Sequence, residues 1–377
     1  MIGALPFVIA PVLILLCLAG VACGEERDTR VRGDVLSVYV SVPRHGVSAN
    51  GGRAVLAGAR RALADARGRV RGRRVRVVAV SSTKATEAVW DPGAVEAAAE
   101  RAAKDPSAIA YIGELDSGAS AVSLPVTNAA RLLQISPADG LTSLTRSPPG
   151  RTRAGPERLR PEGVRSFLRL APADVQVART LVRRLRARRA RRVAIVHTGG
   201  VGERELATLL ARSAEGRDIE SLVVEARRDE PGEANGVVRD VAAYSPDAVV
   251  LAGVPGPGTA AVLQALATRV PRAEVLCTGT MLRPGGGEPN PRCGLTLASP
   301  WSVRDHSGEA MRLVLEAIAR GGPDRNAVTA AALAPRERRS PLGRYAVRRN
   351  GDVAGLGLAF RAAAKQPGER TRAKKAP

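Results

Sequence analysis

The chain has 377 residues, 45% of them hydrophobic and only 2% aromatic, with 58 Lys and Arg against 36 Asp and Glu and a formal net charge of +22. This length and apolar content exclude wholesale disorder and allow one large core or two ordinary ones. Such a charge draws a protein towards anionic surfaces, but in a chain rich in Ala, Arg, Gly and Val most of the excess reads as general composition and not as a dedicated nucleic-acid site.

Residues 2–22 carry no charge and are mostly apolar, ending in Leu18-Ala19-Gly20-Val21-Ala22-Cys23-Gly24. This is the anatomy of a secretory signal (1–22) whose cleavage exposes Cys23, and it resembles a bacterial lipoprotein signal with a lipid-modified cysteine. No Lys or Arg precedes the apolar run, and Gly20 stands where such signals usually have Leu, so an uncleaved anchor of about 20 apolar residues stays open. Either way the remainder is exported, with 23–34 as a linker. Cys277 and Cys293 are the cysteines left in the folded part. In an oxidising compartment they are disulfide partners, with two buried free thiols as the alternative. No Cys-x-x-Cys or close Cys/His cluster occurs, so neither a metal nor a cofactor is expected.

After the linker, Val35–Val42 reads as a strand, Gly52–Ala66 as a helix, Val75–Ser82 as a strand and Pro92–Lys104 as a helix with proline at its start. Ile109–Ile112 is a buried strand, followed by a loop of small and polar residues and a helix over Ala119–Ala130; Leu132–Ser136 is the next strand. Arg146–Gly163 is a Pro-, Gly- and Arg-rich excursion before a strand at Ser166–Leu170. A second series follows: helix Asp174–Arg189, strand Arg192–His197, helix Glu203–Ala214, strand Leu222–Val224, helix Glu233–Tyr244, strand Ala248–Ala252, helix Thr259–Ala267 and strand Glu274–Thr278. Arg283–Arg292 is a loop and Ser307–Arg320 an amphipathic helix. Gly343–Val347 and Leu356–Phe360 are expected to pair across the Asn350-Gly351 turn. Alternation of strands with helices implies parallel sheets, and two successive series imply two lobes with a crevice between them.

The loop after Ile112, Gly113-Glu114-Leu115-Asp116-Ser117-Gly118, lies at a strand's carboxyl end and a helix N-terminus, where ligands of open α/β sheets bind and where backbone N–H groups suit an anion. The Ser117 hydroxyl adds a donor; alternatively Ser117 only caps the helix. Five stretches, Trp90-Asp91-Pro92-Gly93, Ala110–Ser120, Ile135-Ser136-Pro137-Ala138, Gly155–Pro172 and Gly308–Ala319, together with Pro341–Gly351, carry a resemblance in colinear order over about residues 35–360. The chain resembles the type I periplasmic binding proteins of the branched-chain amino acid (Leu/Ile/Val-binding) family, solute receptors of ABC importers.

The resemblance implies an α/β fold of two doubly wound, Rossmann-like lobes joined by three hinge crossovers. It places lobe I at 35–172 plus 296–342 and lobe II at 173–295 plus 343–361, with a basic tail at 362–377. It implies a small amino-acid-like carboxylate between the lobes, permease subunits as partners and no enzymatic role. Leu115, Asp116, Ser117 and Gly118 fall at the ligand, Ser117 towards its carboxylate, and the Ala138 carbonyl towards its ammonium. Gly140 stands where many members have Thr, and Val201 where members place an aromatic. An acidic partner for the ammonium is sought among Glu203, Asp116 and Asp139. An exported sensor on the same fold is the alternative to an importer component.

Other chemistries find less support. Gly200-Val201-Gly202 follows a strand, but Glu205 replaces the third glycine of a dinucleotide loop and would repel a pyrophosphate. His45, His197 and His306 are scattered and no G-x-S-x-G elbow occurs. The arginine run at 183–192 has no interleaved aromatic on which bases could stack, and it reads as a solvated helix end.

Overall fold

The computed structural model describes residues 28–84, 89–147, 155–279 and 290–362. The signal segment, Cys23, most of the loop at 283–292 and the tail beyond 362 lie outside the described residues. Residues 29–31 are not a free spacer, because Thr29 Oγ1 donates to Asp324 and the Val31 N–H to the Pro323 carbonyl.

The first lobe takes β1 (Val35–Val42), α1 (Ala49–Asp65), β2 (Arg69–Val70), β3 (Arg73–Ser81), α2 (Pro92–Lys104), β4 (Ala108–Ile112), α3 (Ser120–Ala129), β5 (Leu133–Ser136) and β6 (Phe167–Arg169). Its sheet runs β2-β3-β1-β4-β5-β6, parallel except for β2. The second takes α4 (Asp174–Ala187), β7 (Arg192–His197), α5 (Val201–Glu215), β8 (Glu220–Glu225), α6 (Ala234–Tyr244), β9 (Ala248–Ala252), α7 (Pro257–Arg269), β10 (Glu274–Thr278) and β11 (Leu295–Ala298). The chain then returns to the first lobe with α8 (Val303–Gly321), α9 (Arg325–Leu333) and a three-stranded sheet of β12 (Arg336–Ser340), β13 (Gly343–Val347) and β14 (Val353–Ala354). Finally β15 (Ala359–Arg361) closes the second sheet, ordered β15-β11-β10-β9-β7-β8, as its antiparallel edge.

The chain thus crosses between lobes three times, near 170–174, 298–303 and 354–359. The expected boundaries shift accordingly. Leu295–Ala298 is a strand of lobe II, paired with β10, whereas 343–354 belongs to lobe I. The expected pairing of Gly343–Val347 with Leu356–Phe360 does not form, since β13 pairs with β12 and β14. Side-chain burial explains the difference: Tyr345, Val347 and Val353 pack into the lobe I core, and Phe360 packs against the core of lobe II.

Central strands are buried along their whole length, as parallel strands covered on both faces are: β4 (AIAYI) and β9 (AVVLA) have no exposed residue. In lobe I, Val38, Val40, Ile109 and Ile112 meet Val55 of α1 and Met311, Val314 and Ile318 of α8. A Cβ on Gly58 would lie 2.1 Å from the Arg304 carbonyl oxygen, so glycine lets α1 and α8 touch backbone to backbone. Helix starts are capped where the sequence supplies a carboxylate or hydroxyl: Asp91 Oδ1 accepts from the Ala94 N–H at 2.7 Å, Asp324 Oδ1 from Ala327 at 2.8 Å, and Ser302 and Asp305 form a capping box on α8. Cys277 of β10 is joined by a disulfide to Cys293, their Cα atoms 5.8 Å apart.

The Arg169 guanidinium at the end of β6 is fully buried. Its Nε donates to Asp352 Oδ1 at 2.8 Å and Nη1 to the Leu141 carbonyl at 2.7 Å. Asp352 also accepts from Thr145 Oγ1, Arg146 and Asn350. It follows Gly351, whose φ of +90° and a built Cβ 2.0 Å from the Phe167 carbonyl oxygen admit no other residue. Removing one member of a buried ion pair strands the other charge. Asp352→Ala is expected to cost about 3–5 kcal/mol of stability, read as a lowered urea midpoint; an unchanged midpoint would show that the neighbouring carboxylates hold Arg169 without it.

Candidate functional site

Loops at the carboxyl ends of β1, β4, β5, β7, β9 and β10 converge on a crevice of about 990 Å³ between the lobes. Strand β4 delivers the loop Gly113–Ala119 there, and buried hydrogen bonds hold the loop in shape. Glu114, absent from the sequence expectations, is its brace. Its carboxylate accepts from Tyr111 Oη at 2.6 Å and Ser41 Oγ at 2.7 Å, and its carbonyl accepts from Ser136 Oγ at 2.7 Å. Burial pushes the Glu114 carboxyl up to about 7.

Asp139 has a different role from the one expected. It is fully buried and accepts from the N–H groups of Gly118 (3.4 Å), Ser120 (3.1 Å) and Leu141 (3.0 Å). The anion at the N-terminus of α3 is therefore the protein's own, as the positive end of a helix favours. The Ala119 N–H donates to the Asp116 carbonyl. Most of the backbone donors expected for a ligand carboxylate are thus already engaged, and Asp139 is not the partner of a ligand ammonium.

Of the other expected residues, Leu115, Asp116, Ser117, Ala138, Gly140 and Glu203 line the crevice. Asp116 Oδ1 accepts from Ser48 Oγ at 3.1 Å. Ser117 Oγ accepts from the Gly140 N–H at 3.3 Å, which leaves its own hydrogen available to a ligand. Gly118 and Val201 instead meet each other at the rim: a Cβ on Gly118 would lie 3.2 Å from Val201 Cβ, and Val201 is 52% exposed. Beside them a Cβ on Gly202 would lie 2.4 Å from Ser117 Cβ, so the start of α5 rests on the lobe I loop. Glu205 on α5 bridges the lobes by accepting from the Thr142 N–H at 2.6 Å.

Trp90, Trp301 and Asp174 are among the lining residues that the sequence reading did not assign to the site. Trp90 and Trp301, the only tryptophans in the chain, both face the crevice, Trp301 with His306 at a ring-centroid distance of 6.4 Å. Asp174, the first residue of α4, lines it beside Gly140. Trp90 was visible as part of a motif, but nothing in the sequence connects it with Trp301 or Asp174.

The crevice is acidic. Asp116, Asp174, Glu203, Glu225, Asp229 and Glu230 line it with Arg227 and Arg228. Arg227 pairs with Glu230, Arg228 with Asp229, and Arg204 with Glu225. Among the described residues no ion pair reaches Asp116, Asp174 or Glu203. Removal from bulk water pushes the Asp116 carboxyl up to about 8, and the charges of Glu114, Glu203 and Asp139 add to the shift. Burial raises Glu203 and Glu205 as well, and raises Asp174 strongly. Arg169 is lowered to about 10 by burial, with Asp139 and Asp174 opposing. His306 is pushed down to about 4 by burial and stays neutral.

A periplasmic binding protein family model matches residues 37–285. The chain belongs to that family. Its architecture is the two-lobed type I periplasmic binding protein fold. Similar solved structures include a solute-binding protein of an ABC transporter from Rhodopseudomonas palustris HaA2 in complex with p-hydroxybenzoic acid, 15% identical with a TM-score of 0.71, the match covering 89% of this chain and 94% of that one. The leucine-binding protein LivK of Thermotoga maritima MSB8 is 16% identical with a TM-score of 0.67, covering 88% and 99%. An ABC transporter substrate-binding protein of Desulfitobacterium hafniense in complex with Leu is 15% identical with a TM-score of 0.67, covering 88% and 98%. No curated protein matches the sequence.

The raised carboxyls set a pH dependence for this periplasmic binding protein. A carboxyl with a raised native pKa holds more protons folded than unfolded, so its contribution is present at low pH and is lost as pH rises through the native value. The window runs from the ordinary values of 3.8 for Asp and 4.5 for Glu up to about 8. Neutral His306 acts oppositely, costing stability as pH falls below 6.5. The ligand-free protein is therefore expected to melt at lower temperature at pH 9 than at pH 6, and Asp116→Asn to reduce that fall. Differential scanning calorimetry at the two pH values checks both; a melting temperature that rises towards pH 9 contradicts the assignment.

Proposed function

We propose that this chain is the extracytoplasmic solute-binding component of an ABC importer, and that it takes a small amino-acid-like solute between its lobes. The observation that supports the reading is the crevice itself, built from strand-end loops of both lobes, with Ser117 on one wall and the start of α5 against it. Two of the similar solved structures hold p-hydroxybenzoic acid and Leu, each with a carboxylate. Here Ser117 Oγ donates to that carboxylate and the Ala138 carbonyl receives an ammonium. A lipid on Cys23 holds the protein at the membrane, where it meets the permease subunits.

An exported sensor with the same crevice is the second reading. It is favoured by Gly140 and Val201 at positions where the transport-family resemblance places a hydroxyl and an aromatic. Growth on the bound solute as sole nitrogen source, lost on deletion of the gene, separates an importer component from a sensor.

Ser117→Ala is expected to cost about 1.5–3 kcal/mol in affinity, the range for a hydrogen bond to a charged group. Isothermal titration calorimetry of both proteins with the amino acid that shifts the melting temperature most checks this, and equal affinities would remove Ser117 from the site. Cys23→Ala is expected to abolish lipid attachment and leave the precursor unprocessed; N-terminal sequencing that finds a mature protein starting elsewhere than Cys23 rules the anchor out.

A further inference from the structure

We propose that the hairpin of β2 and β3 is a seat for anionic phospholipid headgroups, which stands the protein on the membrane by the pole of lobe I opposite its crevice. The proposal goes beyond solute binding, and it holds whether Cys23 or the apolar segment ahead of it tethers the chain.

Between residues 60 and 76 stand eight arginines and a single carboxylate, Asp65. Asp65 is taken by Arg61 at 2.9 Å, and among the described residues no ion pair reaches Arg67, Arg69, Arg71, Arg73 or Arg74. All of these but Arg73 are exposed. Of the acidic residues just before β1, Asp28 is held by Arg32 at 2.7 Å, and even with Asp34 counted the patch keeps a surplus of positive charge. The arginine run at the end of α4 is different, because Arg184 and Arg188 meet Glu274 and Arg192 meets Glu220.

The hairpin is built against its own charge. Val70 and Val75 pack on the lobe I core, so Arg69 and Arg74, directly opposite each other across the strands, share the outer face. Like charges directly opposite destabilise a strand pair. At the turn, Arg71 and Gly72 have φ of +50° and +80°, the left-handed pair for which Asn-Gly is the favoured sequence. Neither the facing arginines nor Arg71 serves the hairpin taken alone. A negative surface laid against it offsets the repulsion and gives Arg71 a use.

Position selects a lipid surface. Val35 pairs with Arg74, the Arg74 N–H donates to the Asp34 carbonyl at 2.9 Å, and the Arg73 guanidinium donates to the Gly33 carbonyl. The hairpin therefore lies beside the point where the chain enters the fold from its N-terminal segment. From Cys23 to Asp28 a chain reaches at most roughly 18 Å, so a tether there keeps this pole close to the bilayer. A basic patch next to a tether is the second signal that holds a protein on an anionic membrane. Here β1 and β3 present their amino ends, whereas the crevice lies at strand carboxyl ends, so a protein seated this way keeps its crevice clear of the lipid. Residues 60–76 contain no aromatic on which nucleic-acid bases could stack.

The test is arginine footprinting of the full chain reconstituted in vesicles of phosphatidylcholine alone or of an equal mixture with phosphatidylglycerol. Phenylglyoxal modifies exposed guanidiniums, and peptide mass spectrometry reads the rate at each arginine. Arg67, Arg69, Arg71 and Arg74 are expected to react at least about fivefold more slowly on the anionic vesicles, relative to Arg186 and Arg189 in lobe II. The protection is expected to vanish in about 1 M salt, where the screening length falls to about 3 Å. In the triple variant Arg69→Gln, Arg71→Asn, Arg74→Gln, which removes the facing charges and supplies the favoured turn residue, Arg67 is expected to react equally fast on both vesicles. Equal rates for the wild-type hairpin on both vesicles overturn the seat. Equal protection of Arg186 and Arg189 shows a general attraction of a basic chain and overturns the assignment to the hairpin. Protection by inorganic phosphate on neutral vesicles shows a free-anion site and overturns the lipid assignment. None of these outcomes touches the solute-binding reading, which the calorimetry above decides.

Discussion

The buried guanidinium of Arg169 is the point on which the two-lobed arrangement depends. It stands at the end of β6, immediately before the chain first leaves lobe I, and grips Asp352, just before the chain leaves for the last time. Its other donors hold the carbonyls of Leu141 and Thr142, and Thr142 in turn receives Glu205 from lobe II. One cation thus fixes two of the three crossovers and the loop that bridges the lobes. Its charge is shared electrostatically with Asp139 and Asp174, so the hinge and the crevice floor form one electrostatic unit. Such a node is costly to desolvate, and specific geometry is the use such buried pairs most plainly serve.

That unit places a negative crevice in a strongly positive protein. The formal charge of +22 belongs to the whole chain, whereas Asp116, Asp174 and Glu203, without ion pairs among the described residues, line the crevice. In a confined site of lowered dielectric, charges act more strongly than on the surface. The local sign therefore governs what is held, and the global sign governs what the protein approaches.

Much of the architecture was legible in the sequence because central parallel strands are short apolar runs and the helices between them keep a clear period. Strands β7, β9 and β10 and helix α2 fall where the residue pattern puts them. The last third was harder to read. Arg336–Ser340 (RERRS) carries no strand signature, since its partner Tyr345 on β13, and not its own residues, fills the core beneath. Leu295–Ala298 is too short to classify without β10 beside it. The site was legible to the level of its loops but not of its roles. Asp116, Asp139 and Asp174 look alike in sequence. Only their spatial neighbours show that the first hydrogen-bonds with Ser48, the second caps α3 and the third has an oxygen without a donor. The pairing of Trp90 with Trp301 in one crevice is likewise a product of the second crossover, which no local pattern records.

The contact of Gly202 with Ser117 has a consequence for size selection. Because a Cβ at 202 would lie 2.4 Å from Ser117 Cβ, the lobes meet there at a hard stop made of backbone and one small side chain. The crevice cannot shrink further around a small occupant, since the stop and not the occupant sets the separation of the walls. An occupant smaller than the 990 Å³ between the walls leaves room that water can fill. Selection among small occupants is then left to the polarity and charge of the lining, not to closure of the walls.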